Sequence, residues 1–295
     1  MGKIVYLEKP ILEKPCLIIG FEGWPNAAEV SSAALQHLVE NLKAKEFASV
    51  EGEDFYQVPL SRPIGVIKDG RVIEVKSPGN HFYYSKNPLS QDLILLRGVE
   101  PHLKWTAFVD LLLDLARSFS VSQIFAIGGT YDYIPHTYPT MVSAVFNRED
   151  MRKKVIRAGL GLTEYTGPIS IHTFILEAAK KRGLKTTCLW GHAPQYLQTK
   201  NVRVVYSVLR TLADLIGIEI DLSELQRASD YFDEQVNHLV EQDPKLQEVI
   251  KKLEELYKQA GPSFDLSKEE GPKDEKVIYM HAFLKKQEDG DKKDG

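Results

Sequence analysis

The chain has 295 residues, 43% of them hydrophobic, and a formal net charge of -4. That is enough apolar material for one substantial core, and the slight acidic balance excludes the broad basic field on which duplex nucleic-acid binding depends. No window reaches the ~18 apolar residues of a membrane span and the N-terminal segment lacks a signal-peptide stretch, so neither a nucleic-acid nor a membrane partner is expected and the location is read as cytoplasmic.

Residues 15–20 are a short apolar run ending in glycine and predict a strand. Val30, Ala34, Leu38 and Leu42 then recur at four-residue spacing, joined by Leu35 and Val39, which predicts an amphipathic helix. Residues 64–67 and 72–75 flank Lys68-Asp69-Gly70-Arg71, whose Asp-Gly pair favours a tight antiparallel hairpin. Further strands are predicted over 92–96, 123–127 (closed by Gly128-Gly129), 141–146 and 184–190. Helices are predicted over 101–119, 169–182 (stopped at Gly183) and 202–216. Strands alternating with helices pair in parallel through right-handed crossovers. The expected fold is therefore a three-layer α/β arrangement, a mostly parallel central sheet with helices on both faces.

The last quarter differs. Asp221-Leu222-Ser223-Glu224 has capping-box spacing, and Leu225, Phe232, Val236 and Leu239 mark one helical stripe. Asp243-Pro244 restarts the pattern, and Leu246, Val249, Ile250, Leu253 and Leu256 mark a second. The expected organisation is a core over 1–220, a C-terminal helical hairpin over 221–257 packed on or beside it, and a mostly disordered tail of acidic and basic residues over 258–295. Within that tail, residues 277–283 form an apolar island that either docks on the body or a partner or stays a stray edge strand.

In parallel α/β sheets, ligands approach the carboxyl ends of the strands. Four loops follow predicted strands there: residues 20–26, 97–102, 128–136 and 191–196. They offer Glu22, Asp132, His136 and His192 as candidate acid or base groups. Phe21, Trp24, Asn26, Arg97, Glu100, Gly128, Gly129, Thr130, Tyr131, Pro135, Pro194 and Tyr196 are candidate ligand or interface contacts. Ordinary turn chemistry explains the same residues without a ligand.

Motif chemistry narrows the choice. There is no Walker loop, no nucleophile elbow, no His-Glu-x-x-His and no paired Cys-x-x-Cys. Gly159-Leu160-Gly161 fails as a dinucleotide fingerprint because Glu164 stands where the third glycine belongs. Cys16 and Cys188 sit inside apolar runs and read as buried reduced thiols. Arg97 is the lone fixed positive charge on the four loops, too little to neutralise a triphosphate. Neither a metal nor a cofactor is expected. A triad assembled from distant residues stays open.

The same loops carry a resemblance. Gly20-Phe21-Glu22-Gly23-Trp24-Pro25-Asn26-Ala27-Ala28, then Gly98-Val99-Glu100-Pro101 with Trp105 and Phe108, resemble motifs of the proteasome assembly chaperone family. So do Gly128-Gly129-Thr130 with Asp132, Ile134-Pro135-His136-Thr137 and Pro139, and Tyr165-Thr166-Gly167-Pro168 with Trp190 and His192-Ala193-Pro194-Gln195-Tyr196. The blocks run in the family's order over residues 15–257. The resemblance implies a phosphorylase/hydrolase-like fold and a non-catalytic, homo-oligomeric binder, a trimer among its expected states, with other protein subunits, proteasome subunits among them, as partners. A terminal hydrophobic-Tyr-any tripeptide serves some relatives as a proteasome anchor. Here Ile278-Tyr279-Met280 has that chemistry at an internal position. The rival expectation, by fold analogy, is a small-molecule enzyme with a pocket at the strand ends, nucleoside phosphorylase-like, hydrolytic or an ATP-dependent ligase. A third is that Trp24, Tyr131 and Tyr133 form the oligomer interface itself.

Overall fold

The computed structural model describes residues 2–87 and 91–260. The expectations for residues 261–295, the apolar island included, lie outside the described residues. In chain order the elements are β1 (Lys3–Tyr6), β2 (Cys16–Glu22), α1 (Val30–Asn41), β3 (Lys45–Glu51), β4 (Ile64–Lys68), β5 (Arg71–Lys76), β6 (Asn80–Ser85), β7 (Leu93–Val99), α2 (Trp105–Ser118), β8 (Gln123–Asp132), β9 (Val142–Phe146), α3 (Asp150–Arg157), β10 (Gly161–Leu162), α4 (Ile171–Lys181), β11 (Thr186–Pro194), α5 (Val202–Ile216), α6 (Ser223–Gln242) and α7 (Pro244–Ala260).

Side chains on a strand alternate between faces, and β2 shows what that does here. Cys16 and Ile18 enter one apolar core with α1, α3 and α5, while Leu17, Ile19 and Phe21 enter another with α2 and α4. Both faces of the strand are buried, so it reads as continuous hydrophobic sequence, as a central parallel strand should. The nine-stranded sheet has the order β1-β3-β6-β7-β2-β8-β11-β9-β10. Its centre, β7-β2-β8-β11, is parallel. Towards β1 the pairings are antiparallel, and β9 runs antiparallel to β11. The sheet is thus mixed, with helices on both faces.

Two expected loops are strand. Residues 128–132 and 191–194 were expected to lie beyond their strands, but β8 and β11 stay paired from Thr186↔Ile124 to Pro194↔Asp132. Arg97 likewise lies inside β7, opposite Gly20 of β2. Continuous ladder hydrogen bonds override the turn preference of glycine and proline here, and close contacts show why the glycines are there. A Cβ on Gly128 would stand 2.6 Å from the Trp190 indole, and one on Gly129 would stand 2.3 Å from the Ala27 carbonyl oxygen. The glycines make room for a neighbour rather than for a turn.

The Asp69-Gly70 pair turns β4 into β5 with both residues at positive φ, 48° and 73°, as a two-residue hairpin requires. This ribbon is a separate two-stranded sheet. At the other end, Asp221 Oδ1 accepts the Ser223 backbone N–H at the start of α6. Helices α6 and α7 share a third small core, in which Val236, Leu246, Ile250 and Leu253 close over Tyr196 and Leu197. Helix α7 runs through Ala260, so chain order extends past position 257, the expected end of the helical segment.

Candidate functional site

At the carboxyl ends of the central strands lies a cavity of about 500 Å³. It occupies the α4 side of the sheet, because Thr130 and Asp132 share a strand face with the buried Ile124 and Ala126, and Trp190 and His192 share one with Cys188. Its lining comes from Trp24 and Ala27 after β2, Gly129–Tyr131 in β8, Ser143 and Val145 in β9, the stretch from Thr163 to Thr173 that leads into α4, and Trp190 and His192 in β11. Trp24, 61% exposed, stands at the rim. Among the described residues the lining carries no lysine, arginine, aspartate or glutamate.

A hydrogen-bonded chain of four side chains runs along the floor and behind it: Thr163, Ser143 and His192 line the cavity, and Asp132 stands behind His192. Asp132 Oδ2 lies 2.9 Å from His192 Nδ1, and His192 Nε2 lies 2.9 Å from Ser143 Oγ. Thr163 Oγ1 in turn donates to Ser143 Oγ at 2.9 Å. His192 and Ser143 are each 1% exposed. The register explains the meeting: Ser143 is paired with Trp190, two residues before His192 on the same strand, and Thr130, two residues before Asp132, is paired with His192.

Glu100 braces the rim from below. Its buried carboxylate accepts the Trp24 N–H at 3.1 Å and the Ile171 N–H, in the first turn of α4, at 2.9 Å. Burial pushes its pKa up, against the lowering effect of those two bonds. Behind Trp190 sits His172, fully buried, between Phe21 and Trp190 at ring separations of 5.6 and 5.7 Å. Among the described residues neither of its ring nitrogens has a hydrogen-bond partner, and burial drives its pKa down to about 3.

The expected site residues therefore separate into groups. Trp24, Gly129, Thr130, Tyr131 and His192 meet at the cavity, with Asp132 behind His192. His136, Pro135, Pro194 and Tyr196 gather on the α6 side instead. There the Tyr196 hydroxyl lies 2.7 Å from His136 Nδ1 and accepts the His136 N–H, while His136 Nε2 lies 3.2 Å from Asn237 Oδ1. Burial lowers the His136 pKa. Asn26 spends its side chain on Ser32, as donor to Oγ and acceptor from N–H, both at 2.9 Å. Phe21 is core, packed on Phe108. Glu22 is exposed at the end of β2, and Arg97 lies in β7; neither lines the cavity.

Ser143, Thr163 and Thr173 were not among the expected site residues. The signal for Ser143 was present as the single hydroxyl in the apolar run Met141-Val142-Ser143-Ala144-Val145-Phe146. Tyr165, Gly167, Pro168 and Trp190 carried part of the resemblance but were not assigned to the site. Among the described residues no group of three or more His, Cys, Asp or Glu side chains could hold a metal ion, and no helix is long and apolar enough to cross a membrane.

The family model described as PAC2 family matches residues 20–240. Among solved structures, a PAC2 family protein from Streptomyces avermitilis is 28% identical, covering 80% of this chain and 99% of its own, with a TM-score of 0.73. A proteasome-assembly chaperone homologue of Mycobacterium tuberculosis is 25% identical, covering 80% and 99%, with a TM-score of 0.74. PbaB of Pyrococcus furiosus, described as an archaeal proteasome activator, is 22% identical, covering 81% and 98%, with a TM-score of 0.66, a likeness of fold.

Proposed function

This chain belongs to the PAC2 family, and on that premise we propose that it is an oligomeric protein-binding, assembly-chaperone-like protein whose binding surface needs no bond-making chemistry. One observation carries the reading. The β4–β5 ribbon stands outside the main sheet, and Ile64, Ile67, Val72, Ile73 and Val75 on it are 59–68% exposed. An isolated two-stranded hairpin is marginal in water, and this much exposed apolar side chain on one ribbon favours a protein contact. Among the described residues neither ribbon edge is paired, which suits strand addition. A second copy of the chain supplies the same apolar ribbon, so an isologous contact would cover both at once.

The proteasome names borne by the relatives supply the partner class for this proposal: subunits of a proteasome or its precursors, met in the cytoplasm. The same reading takes the core of residues 1–220 as phosphorylase/hydrolase-like and α6–α7 as a helical hairpin beside it. The rival, a small-molecule enzyme at the strand ends, is favoured by a different observation, the Asp132-His192-Ser143 chain.

The test is the mass of the full chain in solution, by light scattering, with and without Ile67→Lys plus Ile73→Lys. Both positions are exposed, so the substitutions leave the cores intact. The expected result is an oligomer for the unaltered chain and a monomer of 33.4 kDa for the variant, with co-elution of the source organism's proteasome subunits lost in parallel. A monomeric unaltered chain, or a variant that keeps the original mass, would overturn the proposal.

A further inference from the structure

We infer that Ser143, His192 and Asp132 form a serine-type acyl-transfer site that takes uncharged esters with apolar or aromatic acyl groups. This goes beyond protein binding and does not depend on it, since the ribbon and the cavity are separate features.

In a neutral imidazole one ring nitrogen donates and the other accepts. A carboxylate only accepts, so Asp132 at 2.9 Å places the proton on His192 Nδ1 and leaves Nε2 as the acceptor. Ser143 Oγ, 2.9 Å from Nε2, therefore donates to it, and its own lone pair takes the proton of Thr163. Nucleophile, base and orienting carboxylate thus stand in the relation that activates a serine, recognised by geometry and not by position in the chain. No nucleophile elbow is needed. Strand β9 running antiparallel beside β11 presents Ser143 to His192 across the ladder.

Access and charge set the substrate class. Ser143 and His192 both line the 500 Å³ cavity, together with Trp24, Tyr165, Ile169 and Trp190. Among the described residues the lining has no lysine or arginine, so a phosphate or carboxylate substrate would be desolvated without a cationic partner. An apolar or aromatic acyl group is accommodated by the same walls.

The reaction balances without a co-reactant other than water. Ser143 Oγ attacks the ester carbonyl carbon and passes its proton to His192 Nε2, the imidazolium being held by Asp132. Thr163, 2.9 Å from the attacking oxygen, is placed to turn its hydroxyl proton onto the developing oxyanion. The bond from carbon to the alcohol oxygen breaks and that oxygen takes the proton from His192. Water, deprotonated by His192, then attacks the acyl-Ser143 carbonyl, and the carboxylic acid leaves with Ser143 restored.

The experiment treats the purified full chain with a biotinylated fluorophosphonate, in which the serine oxygen bonds phosphorus and fluoride leaves, and maps the adduct by peptide mass spectrometry. Turnover of p-nitrophenyl butyrate is followed alongside. The expected result is an adduct on Ser143 that vanishes in Ser143→Ala and His192→Asn, with ester turnover falling at least ~100-fold in both and in Asp132→Asn. No adduct on the unaltered chain, an adduct mapped elsewhere, or full turnover in Ser143→Ala would each overturn the inference. Should a variant fail to fold, the adduct map of the unaltered chain decides alone. A chain of hydrogen bonds that merely ties β8, β11 and β9 together would lower stability on mutation yet leave the serine unlabelled.

Discussion

His172 should make this protein acid-sensitive in a way that a single substitution removes. The ring is fully buried among Phe21 and Trp190, its two nitrogens lack partners among the described residues, and its pKa falls from 6.5 in the unfolded chain to about 3 in the fold. A depressed folded pKa means that the unfolded state binds the extra proton first, so this contribution to stability is complete above pH 6.5 and is lost as pH falls toward 3. At one proton per molecule the loss is about 1.4 kcal/mol per pH unit below 6.5, or about 2 kcal/mol between pH 7.5 and pH 5. For a chain of this size that is a fall of about 4–8 °C in melting temperature. The assay is denaturant unfolding at both pH values for the unaltered chain and for His172→Phe, which keeps an aromatic ring in the slot but cannot titrate. Any packing offset of the phenyl ring is the same at both pH values and cancels in the difference. The unaltered chain should lose about 2 kcal/mol more than the variant on acidification. Parallel losses would show that the imidazole finds a partner or charges freely in the fold, and the reasoning from burial would be wrong.

Gly129→Ala forces a Cβ to within 2.3 Å of the Ala27 carbonyl oxygen. Because that obstacle is backbone, the segment before α1 must move, and urea unfolding should show a loss of about 1–3 kcal/mol. Glu100→Ala leaves the Trp24 and Ile171 N–H groups without their acceptor, so thermal unfolding should report about 1–3 kcal/mol of destabilisation, with the loop before α1 cleaved faster in limited proteolysis. Arg182 bridges from the end of α4 to Asp110 and Asp114 on α2 at 2.5 and 2.6 Å. The carboxylates are more than half exposed, so Arg182→Ala should cost only about 0.5–1 kcal/mol and the difference should shrink in 1 M salt.

The parts of the fold legible in the sequence were those with a strong local period. Val30 to Leu42 and Val202 to Ile216 bury one stripe each, and both helices lie within two residues of their expected limits. The central strands were visible because burial on both faces makes them continuously apolar. Elements whose stability comes from their neighbours were not visible: β3 (Lys-Glu-Phe-Ala-Ser-Val-Glu) and β6 (Asn-His-Phe-Tyr-Tyr-Ser) carry too many polar residues to stand out, yet each is held by antiparallel pairing on both sides. The direction of β9 could not be read either, since an apolar run of five residues does not say which way it lies. Half of the candidate site was legible as loops after strands. Ser143 was hidden because its role depends on that unread direction.

The position of the cavity follows from where ladders stop. Strand β8 pairs with β2 only as far as Gly20↔Ile127, while its pairing with β11 continues to Asp132↔Pro194. Beyond Ile127 the sheet therefore splits, and the segment after β2 turns into the gap, with Asn26 bridged to Gly129 and the Gly129 N–H donated to Pro25. Gly129 permits that approach on one face of the sheet, and Gly128 admits the Trp190 indole on the other. Two adjacent glycines in a strand cost backbone entropy and remove side chains that could pack. Here each is matched to a specific neighbour, which sets the Trp24 rim and the Trp190 wall at opposite sides of one opening. The reverse direction of β9 then closes the third side and carries Ser143 to His192.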